Sequence, residues 1–391
     1  MPTAISSASI PALADRFRTQ VLDSIEAIEP RQWNALDASR SPFLRHEFLL
    51  ALEQTRCIGA GTGWTPQYLT LQDCAGLAAA APAFLKAHSY GEFVFDFSWA
   101  QAHMRAGFNY YPKLTLAVPF TPASGARLLT GSAAAAADLR ARLIKAIEAY
   151  TSAHALSSVH ALFVDPASYD AFARAGWLAR RDCQFHWTNR GYQSFEQYLA
   201  SFTHDKRKKV RRERRRVAEA GITFETCEGR ELDKARLDRV YALHRDTFLR
   251  HGHEPYLSRA FFAQIAKSMG DAWLVKLAMH SGEIVAAAIF FSSADTLYGR
   301  YWGASADFNS LHFETCYHQG IEYAIERKLA RFEPGTQGEH KVARGFEPTI
   351  TRSMHWIAEP RFRKAIEHYL ERETDAVSAY AAEVQCHVPF L

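Results

Sequence analysis

Between Lys206 and Arg216, nine of eleven positions are Lys or Arg. Within this run Arg207, Arg211, Arg214 and Arg215 follow i, i+4, i+7, i+8 spacing, so a helix would place them on one face. Four guanidiniums there repel one another, and their forks suit phosphate oxygens. A solvated basic face is the plain alternative, and phosphate or RNA is the partner the pattern points to. Sequence-specific DNA reading is not expected, because no helix-turn-helix or zinc finger adjoins the run and no heptads extend it. A second constellation is Glu314, Tyr317 and His318. Glu314 and His318 are four apart, but two ligands without a third do not make a metal site, and none is expected. A third is Asp96, Trp99 and His103, at i, i+3, i+7, followed by Tyr110, Tyr111 and Lys113. Together they could line a substrate groove, although a helix packing through Trp99 would look the same. In a fourth, Arg300, Trp302 and Gly303 end a strand-like "GRYWGA" just before a helix that starts near Leu311. Free backbone N–H groups at such a junction can hold an anion or a carbonyl oxygen.

Alternating helical and strand-like segments must position these groups, which implies an α/β or mixed α+β architecture. In the first half, "WNALDASRSPFLRHEFLLALEQT" reads as two helices broken at Ser41-Pro42. "QYLTLQDCAGLAAAAPAFLKAH" reads as a hairpin, and "EFVFDFSWAQAHMRAG" as a helix ending on Gly107. The second half gives the helix "DKARLDRVYALHRDTFLRHG", the hairpin "AWLVKLAMHSGEIVAAAIFFSS" turning at Ser281-Gly282, and the helix "LHFETCYHQGIEYAIERKL". The hairpins beginning at Tyr68 and Trp273 are each preceded by two helices and followed by a strand and a long helix. This shared order points to an internal duplication. Two domains, 1–190 and 191–391, are expected, with the C-terminal segment free to pack back on the first. The basic run begins after the capping pair Ser194 and Gln197, and Gly221 is placed to end its helix.

At 391 residues the chain is comfortable for two domains. Net charge is only +4, so the positive charge is local and does not coat the molecule. Six cysteines without a CxxC pair support neither a zinc site nor a disulfide framework, and a reducing cytoplasm fits them best. The first twenty residues lack a basic stretch followed by an apolar core, so no signal peptide is expected. No apolar run is long enough to span a membrane.

The segment "YWGASADFNSLHFETCYHQGIEYAIERK" resembles the strand, loop and helix of FemABX-type transferases, with Gln319, Ile321, Tyr323 and Ala324 fitting the family's helix pattern. The basic segment, in which Arg207 and Arg211 bracket Val210, resembles the start of that family's second domain. "GEHKVARGFEP" is similar to its late "Phe-Lys-x-Gly-Phe" segment. The stretch from His88 to Pro122 is similar to a Gram-negative FemAB-like subgroup assigned to peptidoglycan biosynthesis. The resemblance implies two tandem GNAT-like acyltransferase domains. It also implies transfer of an amino acid from aminoacyl-tRNA to an amine of a nucleotide-linked peptidoglycan precursor, with no tightly bound cofactor. In such chemistry a backbone N–H near Trp302 or Gly303 would meet the oxyanion, and Glu314 or His340 would take the proton. Two departures stand out. Ala343 occupies the family's Lys position, leaving Lys341, two residues earlier and on the same face of a strand, as the substitute. The coenzyme A phosphate-loop signature is also absent, with Asp307 in the loop. An acyl-CoA-dependent N-acyltransferase and a non-catalytic RNA- or precursor-binding protein are the alternatives.

Overall fold

A computed structural model describes residues 16–336 and 338–391. Most of the N-terminal stretch read for a signal peptide lies outside the described residues. The first half runs β1 (Arg18–Leu22), α1 (Pro30–Ala35), α2 (His46–Gln54), β2 (Trp64–Pro66), β3 (Tyr68–Asp73), β4 (Gly76–Ala81), β5 (Ala83–Lys86) and α3 (Phe97–Arg105). It continues with β6 (Lys113–Leu116), α4 (Ala136–Ala153), β7 (Ser158–Ala161), α5 (Pro166–Arg174) and β8 (Leu178–Thr188). Next come α6 (Phe195–Ala200), α7 (His204–Glu219), β9 (Ile222–Glu228), α8 (Lys234–Arg250), α9 (Arg259–Ser268), β10 (Trp273–His280), β11 (Glu283–Ser292) and β12 (Thr296–Ala304). One helix then joins α10 (Leu311–Phe313), a π turn (Glu314–His318) and α11 (Gln319–Glu326). The chain ends with β13 (Arg331–Glu333), a 3-10 turn (Glu339–Arg344), β14 (Glu347–Ile357) and α12 (Pro360–Gln385).

Eleven strands form one mixed sheet in the order β2-β5-β6-β7-β14-β8-β13-β12-β11-β10-β9, with β1-β3-β4 beside it. Pro82 lies between β4 and β5. It has no N–H for a ladder, and there the second hairpin strand leaves β3 and enters the large sheet. The two halves repeat a topology. β5 meets β6 antiparallel and β6 meets β7 parallel across α4. β11 meets β12 antiparallel and β12 meets β13 parallel across α10–α11. β14 inserts between β7 and β8, so the last strand of the chain lies against strands of the first half.

Local signals set many of these elements. Ser281 and Gly282 both have positive φ, 51° and 83°, as a two-residue hairpin of the β10–β11 twist requires. In α7, Val210, Glu213 and Val217 make up the buried stripe, and the cations take the remaining faces. Ile321, Ala324 and Ile325 of α11 are buried in a core with Phe290 and Phe332. Two expectations need correction. The helix expected from Glu92 starts only at Phe97, because Phe93 holds a left-handed φ of 61° and Glu92 turns inward to a lysine. The segment around Lys341 is a 3-10 turn, not a strand, so Lys341 and Ala343 do not share a face.

Candidate functional site

β12 and β13 pair over three residues, Thr296–Tyr298 against Arg331–Glu333, and then separate. β13 stops as the chain enters Pro334 and Gly335, where φ is 94°. On its other edge β12 carries a bulge. Ile289 faces Tyr301 and Phe290 faces Gly299, which leaves Arg300 as the extra residue. Bulges bend a strand and redirect its side chains. The bend and the short β13 open a cavity of about 470 Å³ between the strands. Gly299 to Trp302 and Pro334 to Thr336 form its sides, Cys316, Tyr317 and Lys341 line it from the helix and the 3-10 turn, and residues 90–95 and 248–256 contribute aromatic rings.

Lys341 is 2% exposed. Its Nζ donates to the Gly335 carbonyl at 2.7 Å. Among the described residues no carboxylate pairs with it, and burial lowers its pKa to about 7. A neutral amine is therefore well populated at neutral pH. Tyr317 Oη lies 2.9 Å from His340 Nε2. Burial raises the Tyr317 hydroxyl well above its usual range, and burial with nearby Lys341 lowers His340. His312 also lines the cavity, and burial with the neighbouring His340 brings it to about 4. The π turn adds one residue to a helical turn, and such turns recur at functional sites. Here it carries Cys316 and Tyr317 into the cavity wall. Sequence reading missed Cys316 and His312. Their membership of the helix opening the strand-to-helix junction was the available signal.

Other expected residues go elsewhere. Glu314 is buried but accepts from Arg214 Nε at 3.2 Å and Gln319 Nε2 at 2.8 Å, and it is not among the residues lining the cavity. His318 Nε2 lies 3.1 Å from Glu213 Oε2, beneath α7. Gly303 is glycine because α8 packs onto it: a Cβ there would lie 2.1 Å from the Leu243 carbonyl oxygen. Arg300 and Trp302 do line the cavity.

The four arginines of α7 separate by role. Arg214 reaches inward to Glu314 and to Glu322 at 2.7 Å, and stacks 4.4 Å over Phe195. Arg211 pairs with Glu196 at 2.7 Å and Arg215 with Glu219 at 3.5 Å, both exposed. Arg207 makes a 3.5 Å contact with the Ala200 carbonyl. Glu213, the one acid of the run, points into the protein. It accepts from both Arg344 Nε at 3.1 Å and Nη2 at 2.6 Å, and Arg344 Nη1 donates to the His340 carbonyl at 2.6 Å. The basic helix is thereby tied to the turn that carries His340 and Lys341.

The first-half cluster is a buried ion network. Lys113 Nζ donates to Ser89 Oγ and Glu92 Oε2, each at 2.9 Å, and to Asp96. Tyr110 donates to Asp96 at 2.5 Å and meets His160 Nε2 at 3.1 Å, and His160 contacts His355 of β14 at 2.7 Å. Burial alone would raise Asp96, but Lys113 and His160 hold it well below the usual carboxylate range. Burial lifts Glu92 to about 7. Burial likewise opposes charge on Lys113, yet Glu92 and Asp96 outweigh it and raise its pKa. Tyr111 joins the network through Ser89 at 2.8 Å. Trp99 packs 5.1 Å from Arg180, and His103 stacks on Phe362 at 3.7 Å. These residues do not line the cavity. They fix the loop that supplies Tyr90, Phe93 and Phe95 to its wall. No group of three or more metal-ligating side chains occurs among the described residues.

A FemAB-like family model, described as peptidoglycan biosynthesis/recognition, matches residues 24–391. No curated protein sequence matches the chain. Among solved structures, FemX superposes with a TM-score of 0.55 at 11% identity, covering 87% of this chain and 98% of that one. The C-terminal domain of a putative lysylphosphatidylglycerol synthetase from Agrobacterium fabrum gives 0.50 at 11% identity, covering 94% and 98%. L-PGS from Bacillus licheniformis gives 0.51 at 11%, covering 86% and 97%. The mixed α/β, tandem GNAT-like fold expected from the sequence is the fold found. No described helix is long and apolar enough to cross a membrane. The chain belongs to the FemAB-like family.

Proposed function

We propose that this FemAB-like protein is an N-acyltransferase of cell-wall synthesis that moves an aminoacyl group from aminoacyl-tRNA onto an amine of a peptidoglycan precursor, in the cavity between β12 and β13. Lys341 carries this reading: a buried amine, without a carboxylate partner among the described residues and with a pKa near 7, facing a cavity of substrate size. The acceptor nitrogen attacks the donor ester carbonyl once it has a lone pair. A backbone N–H on the β12 edge that β13 leaves unpaired can meet the oxyanion. Lys341 takes the proton from the attacking nitrogen and returns it to the departing ester oxygen, so a C–N bond forms as the C–O bond breaks. Tyr317, backed by His340 at 2.9 Å, adds a polar group to the wall beside it. The outward cations of α7 supply phosphate contacts for the tRNA, whereas Arg214 is committed to Glu314 and Glu322. An acyl-CoA donor is disfavoured by Asp307 in the junction loop.

The test is transfer of a radiolabelled amino acid from tRNA to a nucleotide-linked precursor. Lys341→Met should lower the rate about 100-fold or more, the scale of general-base catalysis, with the circular dichroism spectrum unchanged. The wild-type rate should rise with pH through about 7 as Lys341 loses its proton. Equal rates for variant and wild type would overturn the assignment.

A further inference from the structure

The walls of the cavity carry two basic side chains, Arg300 and Lys341, and among its described lining residues there is no Asp or Glu. Neither forms an ion pair with any described residue. Arg300, half-buried at the β12 bulge, donates to the Phe120 carbonyl, and its ring neighbours are Phe43 and Tyr301, at 5.6 and 5.4 Å. Lys341 is bound to one backbone carbonyl. A guanidinium withdrawn from water without a counter-ion is unfavourable until an anion reaches it, and its planar fork is matched to an oxyacid. The nearby carboxyl, Glu333, interacts electrostatically with Arg300 but forms no ion pair or hydrogen bond with it. It is not among the cavity's lining residues, its Oε2 is buried without a hydrogen-bond partner, and burial raises its pKa to about 7. One side of the wall is a set of aromatic rings, Tyr90, Phe93, Phe95, Phe248, Tyr256 and Tyr301, while His253, His312, Tyr317 and Thr336 add neutral polar groups. Tyr256 stacks on Phe120 at 4.9 Å with 9° between the planes, a rigid ring surface.

From these walls we infer that the cavity seats an oxyacid group on an apolar or planar body, a carboxylate or phosphate held by Arg300. This rests on the transferase reading above and narrows it. An anionic portion of the substrate lodges against Arg300, beside the reacting amine and ester at Lys341. Arg300 is thus a specificity determinant for the group placed beside Lys341.

Calorimetry with an isosteric probe series tests this without reading transfer: 3-phenylpropanoate, 3-phenylpropanamide, 3-phenylpropylamine and phenyl phosphate. The two oxyacids should bind roughly ten- to a hundredfold more tightly than the amide or the amine, the size of a charge-assisted hydrogen bond. The ratio of propanoate to phosphate tells which oxyacid the site prefers. Arg300→Gln should abolish the preference, and Arg300→Lys should keep part of it while losing the fork. Protection of Lys341 from acetic anhydride by the bound oxyacid, read by mass spectrometry, places the probe in the cavity. Tightest binding by the amine, equal binding of all four, or no saturable binding of either oxyacid would overturn the inference, even if Arg300→Gln proves unable to fold. Because catalysis is not measured, failure of the Lys341 assignment leaves this result unchanged.

Discussion

Lys113 and Lys341 are both buried lysines, one at the start of β6 and one beside the end of β13, and their charges respond oppositely to burial. Lys113 meets Glu92 and Asp96 and is held protonated. Lys341 meets a carbonyl, with no carboxylate among the described residues, and drops to about 7. The strand-to-helix junctions that follow the equivalent strands β6 and β12 differ in the same sense. After β6 the chain returns to pair with its neighbour, through a parallel bridge of Gly125 to Val164. Arg127, 1% exposed, fills the gap by donating to the Leu162, Ala123 and Ala126 carbonyls at 2.7, 3.0 and 3.1 Å. After β12 no described side chain does this, and the gap is the cavity. One duplicated topology thus yields a closed first junction beside a buried ion network and an open second junction whose Arg300 and Lys341 form no ion pair among the described residues. Burial opposes charge on both lysines, and the presence of a carboxylate decides the outcome.

The comparison breaks most severely at Asp96. Asp96→Asn should cost about 3–5 kcal/mol in urea unfolding, because Lys113 would keep a buried charge with half its compensation. Lys113→Met on the Asp96→Asn background should recover part of it. A loss below about 1 kcal/mol would show that the network is not what holds the first half closed.

Arg127→Met should destabilise by about 2–3 kcal/mol, since it leaves two buried carbonyls and one half-buried carbonyl without their donor. It should also open the first junction to small apolar probes, and an unchanged unfolding midpoint would remove Arg127 as the plug.

The two lysines can be told apart by titration. Acetic anhydride labelling of Lys341 should follow an apparent pKa near 7, while Lys113 should remain unlabelled in the folded protein. The sign for stability follows. Unfolded lysine titrates near about 10.4, so between about 7 and 10.4 the unfolded chain holds one proton more at this site, and stability rises with pH across that window. Lys341→Met should therefore raise the Tm most below pH 7, with the gain fading as pH approaches 10. A gain independent of pH would mean that Lys341 is not neutral in the fold.

The smallest effect concerns α7. Arg207→Ala with Arg211→Ala should weaken tRNA binding and reduce its salt slope by about 2, one counterion per phosphate contact. Lys208→Ala with Lys209→Ala should do less. Equal slopes for both pairs would leave only bulk charge.

Much of the scaffold was legible locally. The hairpins at Tyr68 and Trp273, the helix over the basic run and its inward Val210–Val217 stripe, and the junction before Leu311 follow from period, capping and turn residues within about a dozen positions of one another. The candidate site was legible in part: Lys341, Tyr317, Arg300 and Trp302, with His340 behind Tyr317, were in view, but the grouping of the first four around one cavity was not. The same reasoning placed Glu314 at the chemistry, whereas the fold ties it to Arg214, a hundred positions away, outside the cavity lining. It read Glu92 as helical for a related reason: Lys113, distant in sequence, pulls that side chain out of the pattern. Sequence by itself determined which segments are helices and strands, since periodicity and capping act between near neighbours. Only the tertiary structure decided which buried charges are paired, because desolvation and Coulomb energy depend on what the fold brings within a few ångströms, and that sets Lys341 apart from Lys113.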